Sequence, residues 1–346
     1  MLSQLFPLPL LNPAIDLFFQ EWQPLLPVLH RPSFLGIYED YITDPEAGQW
    51  HSNKQAVAQL FLIFDISALS STKVRQTSTP YEAQWRKALQ SISSTASLAT
   101  IQCHVLAQLY CLLKADYAQL TQHRAIAVAM CHQMWLHQAH QYKGLQMLDS
   151  ETRKKVFWSQ YVLDKFASAT TGSPMLLRDH DITTEFPADI DDENISAHGI
   201  SPSLPGELTK ISSAIALFKV AKILSATLTE LYPSGARYEL SLEKLHSLSD
   251  KLDQWSQSLP THLRLQFKQD KPSTNMVSCR SPLLVSTTQK PEIFPLILTT
   301  VARLLLYPKF DSPPSGRQRN WQLSLLIYHR SGGCRETRHA DPRFTR

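Results

Sequence analysis

A helix with an explicit stop signal constrains this chain more than any other feature. It lies in residues 151–193, ETRKKVFWSQYVLDKFASATTGSPMLLRDHDITTEFPADIDDE. Phe157, Tyr161 and Asp164 recur at i, i+4 and i+7, and Val156, Leu163 and Phe166 widen the apolar side. Gly172 then offers a left-handed C-terminal position, and Pro174 cannot continue a helix. Met175–Leu177 is a short apolar return, Asp179–Asp181 a polar turn, and Phe186-Pro187 leads into the acidic run Asp189, Asp191, Asp192 and Glu193. The pattern predicts a long helix, an abrupt stop and an extended strap. Asp164 sits on the face that should meet the core, so a buried carboxylate paired with a cation is expected there. Arg153 and Arg178 are the first candidates, with Lys165 beside them. The acidic run reads as solvated surface.

The remaining segments are also helical in period. Asn12-Pro13 reads as a cap and first position for a helix carrying Ile15, Phe18, Phe19 and Trp22, ended by Pro24 and Pro27. Residues 25–34, LLPVLHRPSF, read as an extended apolar connector. Further helices are expected over Ala56–Ser70, Tyr81–Ser91, Ile101 to about Tyr117 with Thr100 as cap, about Gln122–His137, Leu208–Leu231, Leu240–Leu259 and Phe294–Leu306. Lys268–Pro291 reads as a polar loop. No segment has persuasive strand alternation. The expected class is all-α, a large multi-helix array with long connecting loops. It should occupy residues 1–310, followed by an Arg-rich tail at 311–346.

Charge separates those two parts. The 346 residues carry a formal +4, yet from Ser312 onward seven Arg face only Glu336 and Asp341, which leaves the body near −1. That body is not a nucleic-acid surface by charge, so no sequence-specific DNA binding is expected from it. The odd set of five cysteines, irregularly spaced, suits reduced thiols better than a disulfide framework. Its most apolar run, Ala56–Leu69, is too short to span a membrane.

No catalytic constellation is apparent, and no resident metal or cofactor is expected. His132, His137 and His140 do not share one helical face, and no His-Glu-x-x-His occurs. Cys103 and Cys111 would lie about 12 Å apart along a helix, too far to chelate together.

The ordered residues of the central stretch resemble the middle homology region of fungal binuclear zinc-cluster transcription factors. Lys154-Lys155, Phe157-Trp158, Tyr161, Asp164-Lys165, Gly172-Ser173-Pro174, Asp181-Ile182, Pro187 and the acidic run follow that family's pattern. So do His30-Arg31-Pro32-Ser33-Phe34, Thr100-Ile101-Gln102, Leu136-His137 and the WSQSLP segment from Trp255 to Pro260. The resemblance extends over about Leu5–Lys309. It marks His30, Arg31, Pro32, Phe34, Phe157, Trp158, Asp164, Gly172, Pro174, Asp181 and Pro187 as signature residues with structural or regulatory roles. It implies a non-enzymatic, nuclear regulator of transcription that acts with co-regulators and a small-molecule effector, without membrane contact. DNA and zinc would be bound by a separate N-terminal module, since none of the cysteines here forms a C-x-x-C pair. The alternative reading is a helical interaction scaffold that never binds DNA.

Overall fold

The computed structural model describes residues 11–43, 52–70, 81–92, 96–196, 199–201, 208–232, 242–263, 267–268 and 271–272. The proposed helix Phe294–Leu306, most of the loop Lys268–Pro291 and the Arg-rich tail lie outside these residues. Among the described residues the α-helices are α1 (Leu11–Glu21), α2 (Arg31–Thr43), α3 (Lys54–Ser70), α4 (Glu82–Ser91), α5 (Leu98–Lys114), α6 (Tyr117–Gln133), α7 (Met147–Thr171), α8 (Ile211–Leu231) and α9 (Leu242–Ser258). Two-residue antiparallel ladders join β1 (Ile195–Ser196) to β2 (Gly199–Ile200) and β3 (Phe267–Lys268) to β4 (Lys271–Pro272). The protein is all-α.

The helices pack mostly against partners one or two places away in sequence. α3 meets α1, α4 and α5; α5 and α6 pack together and both lie on α7; α8 covers α7, and α9 covers α8. α7 therefore joins the N-terminal array to the α8–α9 layer. From Lys155 to Ala169 its burial is complete: Phe157, Tyr161, Val162 and Leu163 are inaccessible, and so are the polar Ser159, Gln160, Asp164 and Lys165. A helix enclosed on every side must hydrogen-bond its polar side chains internally. By length and hydropathy α8 could cross a membrane. In the fold it is a core helix, with Leu217, Phe218, Val220, Ala221 and Leu224 fully buried.

Several local expectations are corrected. Arg31 to Phe34 do not belong to an extended connector: α2 begins at Arg31, directly after His30. Pro32 is accommodated because a first-turn residue needs no intrahelical N–H bond. The His30 imidazole Nδ1 meets Ser33 Oγ at 2.8 Å. The backbone N–H of Arg31 is capped by Asp192 Oδ2 at 3.1 Å, from 161 positions away. α5 is capped by Ser97, which accepts from the N–H of Thr100, so Thr100 lies inside the helix. α5 and α6 turn at Ala115, with φ +59°, and at Asp116, whose carboxylate caps α6. With no Gly or Pro at that corner, the periodicity of Ile101–Tyr117 overruns it. Asn12 lies within the first turn of α1 and accepts from the Tyr38 hydroxyl.

Candidate functional site

The strap after α7 folds back along that helix and is fastened to it at successive turns. Gly172, at φ +71°, ends the helix. From there the backbone N–H groups of Leu176 and Leu177 reach the two oxygens of Asp164, at 3.2 and 3.1 Å. Asp179 accepts from the Tyr161 hydroxyl at 2.6 Å and from Ser225 of α8 at 3.1 Å. The carbonyl of Glu185 receives the Trp158 indole N–H at 2.8 Å, and the N–H of Ala188 donates to Glu151 at 2.7 Å. Moving along the strap from 176 to 188 thus runs backward along α7 from 164 to 151. Aromatic packing adds to the polar rungs, with Phe186 4.4 Å and Phe218 6.1 Å from the Trp158 ring.

Two ionic clusters, the first buried and the second partly exposed, hold the ends of this strap. At the first, Asp164 is completely buried and paired with Arg124 of α6, not with Arg153 or Arg178. Arg124 Nε donates to Asp164 at 2.8 Å. Its remaining nitrogens donate to Ser173, to Ser168 and to the Pro174 carbonyl, each at 2.7 Å. Lys165 lies 3.4 Å from Asp164, donates to the Leu177 carbonyl and sits over the Tyr161 ring. Burial pushes the Lys165 ammonium below its ordinary range, although Asp164 and Asp179 oppose that shift. The Tyr161 phenol is pushed up by burial and by Asp179. One carboxylate and one guanidinium therefore join α6, α7 and the Gly172–Pro174 turn.

At the second cluster, Asp192 accepts from Lys155 at 2.7 Å while it caps α2. Glu193 pairs with Arg31 at 3.2 Å. Asp191 accepts from the N–H groups of Lys210 and Ile211 at the start of α8, and burial raises its carboxyl. Asp189 accepts from Thr209. The acidic run is thus a tertiary joint between α2, α7 and α8, in which Asp191 and Asp192 are half-buried while Asp189 and Glu193 remain exposed. A carboxylate gains more from fixed donors at helix starts than from water alone. A cavity of about 30 Å³ is lined by Gln23, Arg31, Lys155, Asp191, Asp192 and Lys210, room for about one water molecule.

The signature residues divide between these clusters. His30 and Arg31 serve the acidic joint, and Phe34 is buried behind them while Pro32 is exposed. Asp164, Gly172 and Pro174 form the turn cluster. Phe157, Trp158 and Pro187 lie in the buried layer between them. Asp181 is exposed; its carbonyl accepts from Gln138. Arg124 was missed by sequence reasoning, although it is the sole Asp, Glu, Lys or Arg in the α6 sequence YAQLTQHRAIAVAMCHQ. A lone cation in an apolar helix signals a buried partner.

His137 is buried while His132 and His140 are exposed, and among the described residues no group of three or more His, Cys, Asp or Glu could hold a metal. Cys103, Cys111 and Cys131 are buried free thiols. Burial pushes those of Cys111 and Cys131 up to about 12, away from reactivity.

Residues 15–257 match the family model described as the fungal specific transcription factor domain. The transcriptional activator protein acu-15 of Neurospora crassa is 46% identical over 272 residues, 78% of this chain and 29% of that protein. An ABC-transporter-regulating transcription factor of Aspergillus fumigatus is 25% identical over 320 residues, 87% of this chain and 34% of that protein. The regulatory protein CAT8 of Saccharomyces cerevisiae is 29% identical over 184 residues, 48% of this chain and 13% of that protein. The chain spans about a third or less of the length of these relatives. No solved structure matches it. The match over most of the helical array, with the clamped strap at its centre, places the chain in the fungal-specific transcription factor domain family.

Proposed function

We propose that this chain is the regulatory region of a fungal transcription factor, acting in the nucleus without catalytic activity. DNA and zinc are bound by a separate zinc-cluster module, and the helical array controls transcription through co-regulators and a small-molecule effector. One observation carries this reading. The signature residues fasten a strap onto a central helix through the buried Arg124–Asp164 pair at one end and the half-buried Lys155–Asp192 pair at the other. Such a site holds a conformation, which is the task of a regulatory module. The names of the similar proteins, activators and regulators of transcription, agree with it.

Fusion of the full chain to a heterologous DNA-binding module tests the reading. The fusion should change reporter transcription severalfold relative to the module alone, and Asp164→Ala should remove most of that change. Equal transcription with and without the chain overturns the regulatory reading. The unfused chain should bind DNA weakly and lose that binding steeply with salt, as phosphate contacts do. Salt-resistant, sequence-selective binding would show that the reader is not separate.

A further inference from the structure

We propose that Asp65 is a proton-binding regulatory site: neutral, its carboxyl is tolerated in the dry contact between α3 and α4, and its ionisation draws water to the buried charge and loosens α4 from that surface. Asp65 is completely inaccessible, in the middle of α3, a helix buried from Ala58 to Ser67. Its Oδ2 accepts from the Trp85 indole N–H at 2.9 Å. Its Oδ1 has no partner at full hydrogen-bond geometry, the Tyr81 backbone being a weaker contact. Trp85 is itself fully buried, packed edge-on to Tyr110 at 5.3 Å and near His123 at 6.1 Å. The contact therefore ties α3 to α4 at the point where α5 and α6 also meet.

Among the described residues no cation pairs with Asp65. Acting on it are Glu82 and Trp85 of α4, Lys114 of α5 and the Tyr81 backbone before α4, while Tyr110 of α5 and His123 of α6 face the Trp85 ring. The nearby cations are committed to Glu82: Arg86 donates to it at 2.7 Å, and Lys114 and Tyr110 bond its other oxygen. These partners outweigh burial and hold Glu82 at about 2, always charged. His104 and His123 contact each other through their Nδ1 atoms at 3.0 Å; burial lowers both to about 4, so they are neutral near pH 7. Burial, reinforced by Glu82, pushes Asp65 up to about 7, against the smaller opposing effects of Trp85, Lys114 and the Tyr81 backbone. Two carboxyls in one network are thus driven to opposite protonation states.

The sign of the effect follows from linkage. An acid whose folded pKa is raised binds more protons in the native state. Stability falls as pH rises from the unfolded value near 4 to about 7, and then levels off. Local release of α4 accompanies ionisation near the upper limit.

The test compares the full chain with Asp65→Asn, which mimics the neutral carboxyl. Between pH 4 and pH 8 the ratio of their unfolding constants should change on the order of a thousandfold in favour of the variant. Taking this ratio removes the contribution of the His104–His123 pair. A pH-independent ratio overturns the proposal. In the unsubstituted protein, the carboxyl carbon of Asp65 should titrate near 7 by NMR, with hydrogen-exchange protection of α4 amides falling over the same range. Titration near 4, or protection that ignores pH, overturns it equally. Both measurements need only the folded chain, so their outcome is separate from the transcriptional reading.

Discussion

Arg124 and Asp164 stand 40 positions apart in sequence and meet with Nε 2.8 Å from Oδ1, both side chains almost entirely inaccessible. Asp164→Ala should cost about 3–5 kcal/mol, because it strands a guanidinium whose remaining bonds are made to neutral groups. Asp164→Asn should be nearly as damaging, since the amide cannot neutralise Arg124 and Lys165. A double-mutant cycle between Arg124 and Asp164, measured by denaturant unfolding, should give a coupling of roughly 1–3 kcal/mol. The same cycle with Arg153 or Arg178 should give none. Additive effects for Arg124 and Asp164 would show that the pair is not the clamp.

Gly172 separates a conformational cost from a steric one. Its φ is +71°, and an added Cβ would meet nothing within 4 Å. The penalty for a side chain is therefore the left-handed backbone alone, about 1–2 kcal/mol for Val. Asn tolerates that region better and should cost less. Thermal unfolding of both variants checks the order. Equal melting temperatures for glycine and valine would mean that the helix ends elsewhere.

Asp192 tests whether the strap organises α2. Asp192→Ala removes the Lys155 ion pair and the cap on the Arg31 N–H together. A loss of roughly 2–4 kcal/mol is expected. Hydrogen exchange at the first turn of α2 should quicken along with exchange at residues 191–194. Fraying confined to the strap would separate the two elements.

Acidification should weaken the α5–α6 contact. For His104 and His123 the folded pKa is lowered from 6.5 to about 4 by burial. The stability they contribute is present above about 6.5 and is lost as pH falls toward 4. The loss should reach roughly 3 kcal/mol or more for the pair. His104→Gln combined with His123→Gln should flatten the unfolding free energy across that window. An unchanged slope would place the imidazoles in solvent.

Local chemistry carried much of this structure. The period of α7, the stop at Gly172 and Pro174 and the burial of Asp164 were all legible, because each depends on backbone preference or on a face recurring every few residues. The amphipathic or wholly apolar helices α1, α3, α8 and α9 were legible for the same reason. Partner choice was not. Arg153 and Arg178 are nearer Asp164 in sequence than Arg124, but proximity along a chain says little once α6 lies across α7. The acidic run looked like surface because five residues with four carboxylates suggest hydration. Only the tertiary structure supplies Lys155 and the open N–H groups of α2 and α8. The start of α2 was hidden in the same way, since its cap arrives from residue 192. Sequence determined which segments are helices and where the main one stops, through short-range sterics and periodicity. The fold decided which charges meet, because buried ions take whichever partner the packing of distant helices brings within bonding distance.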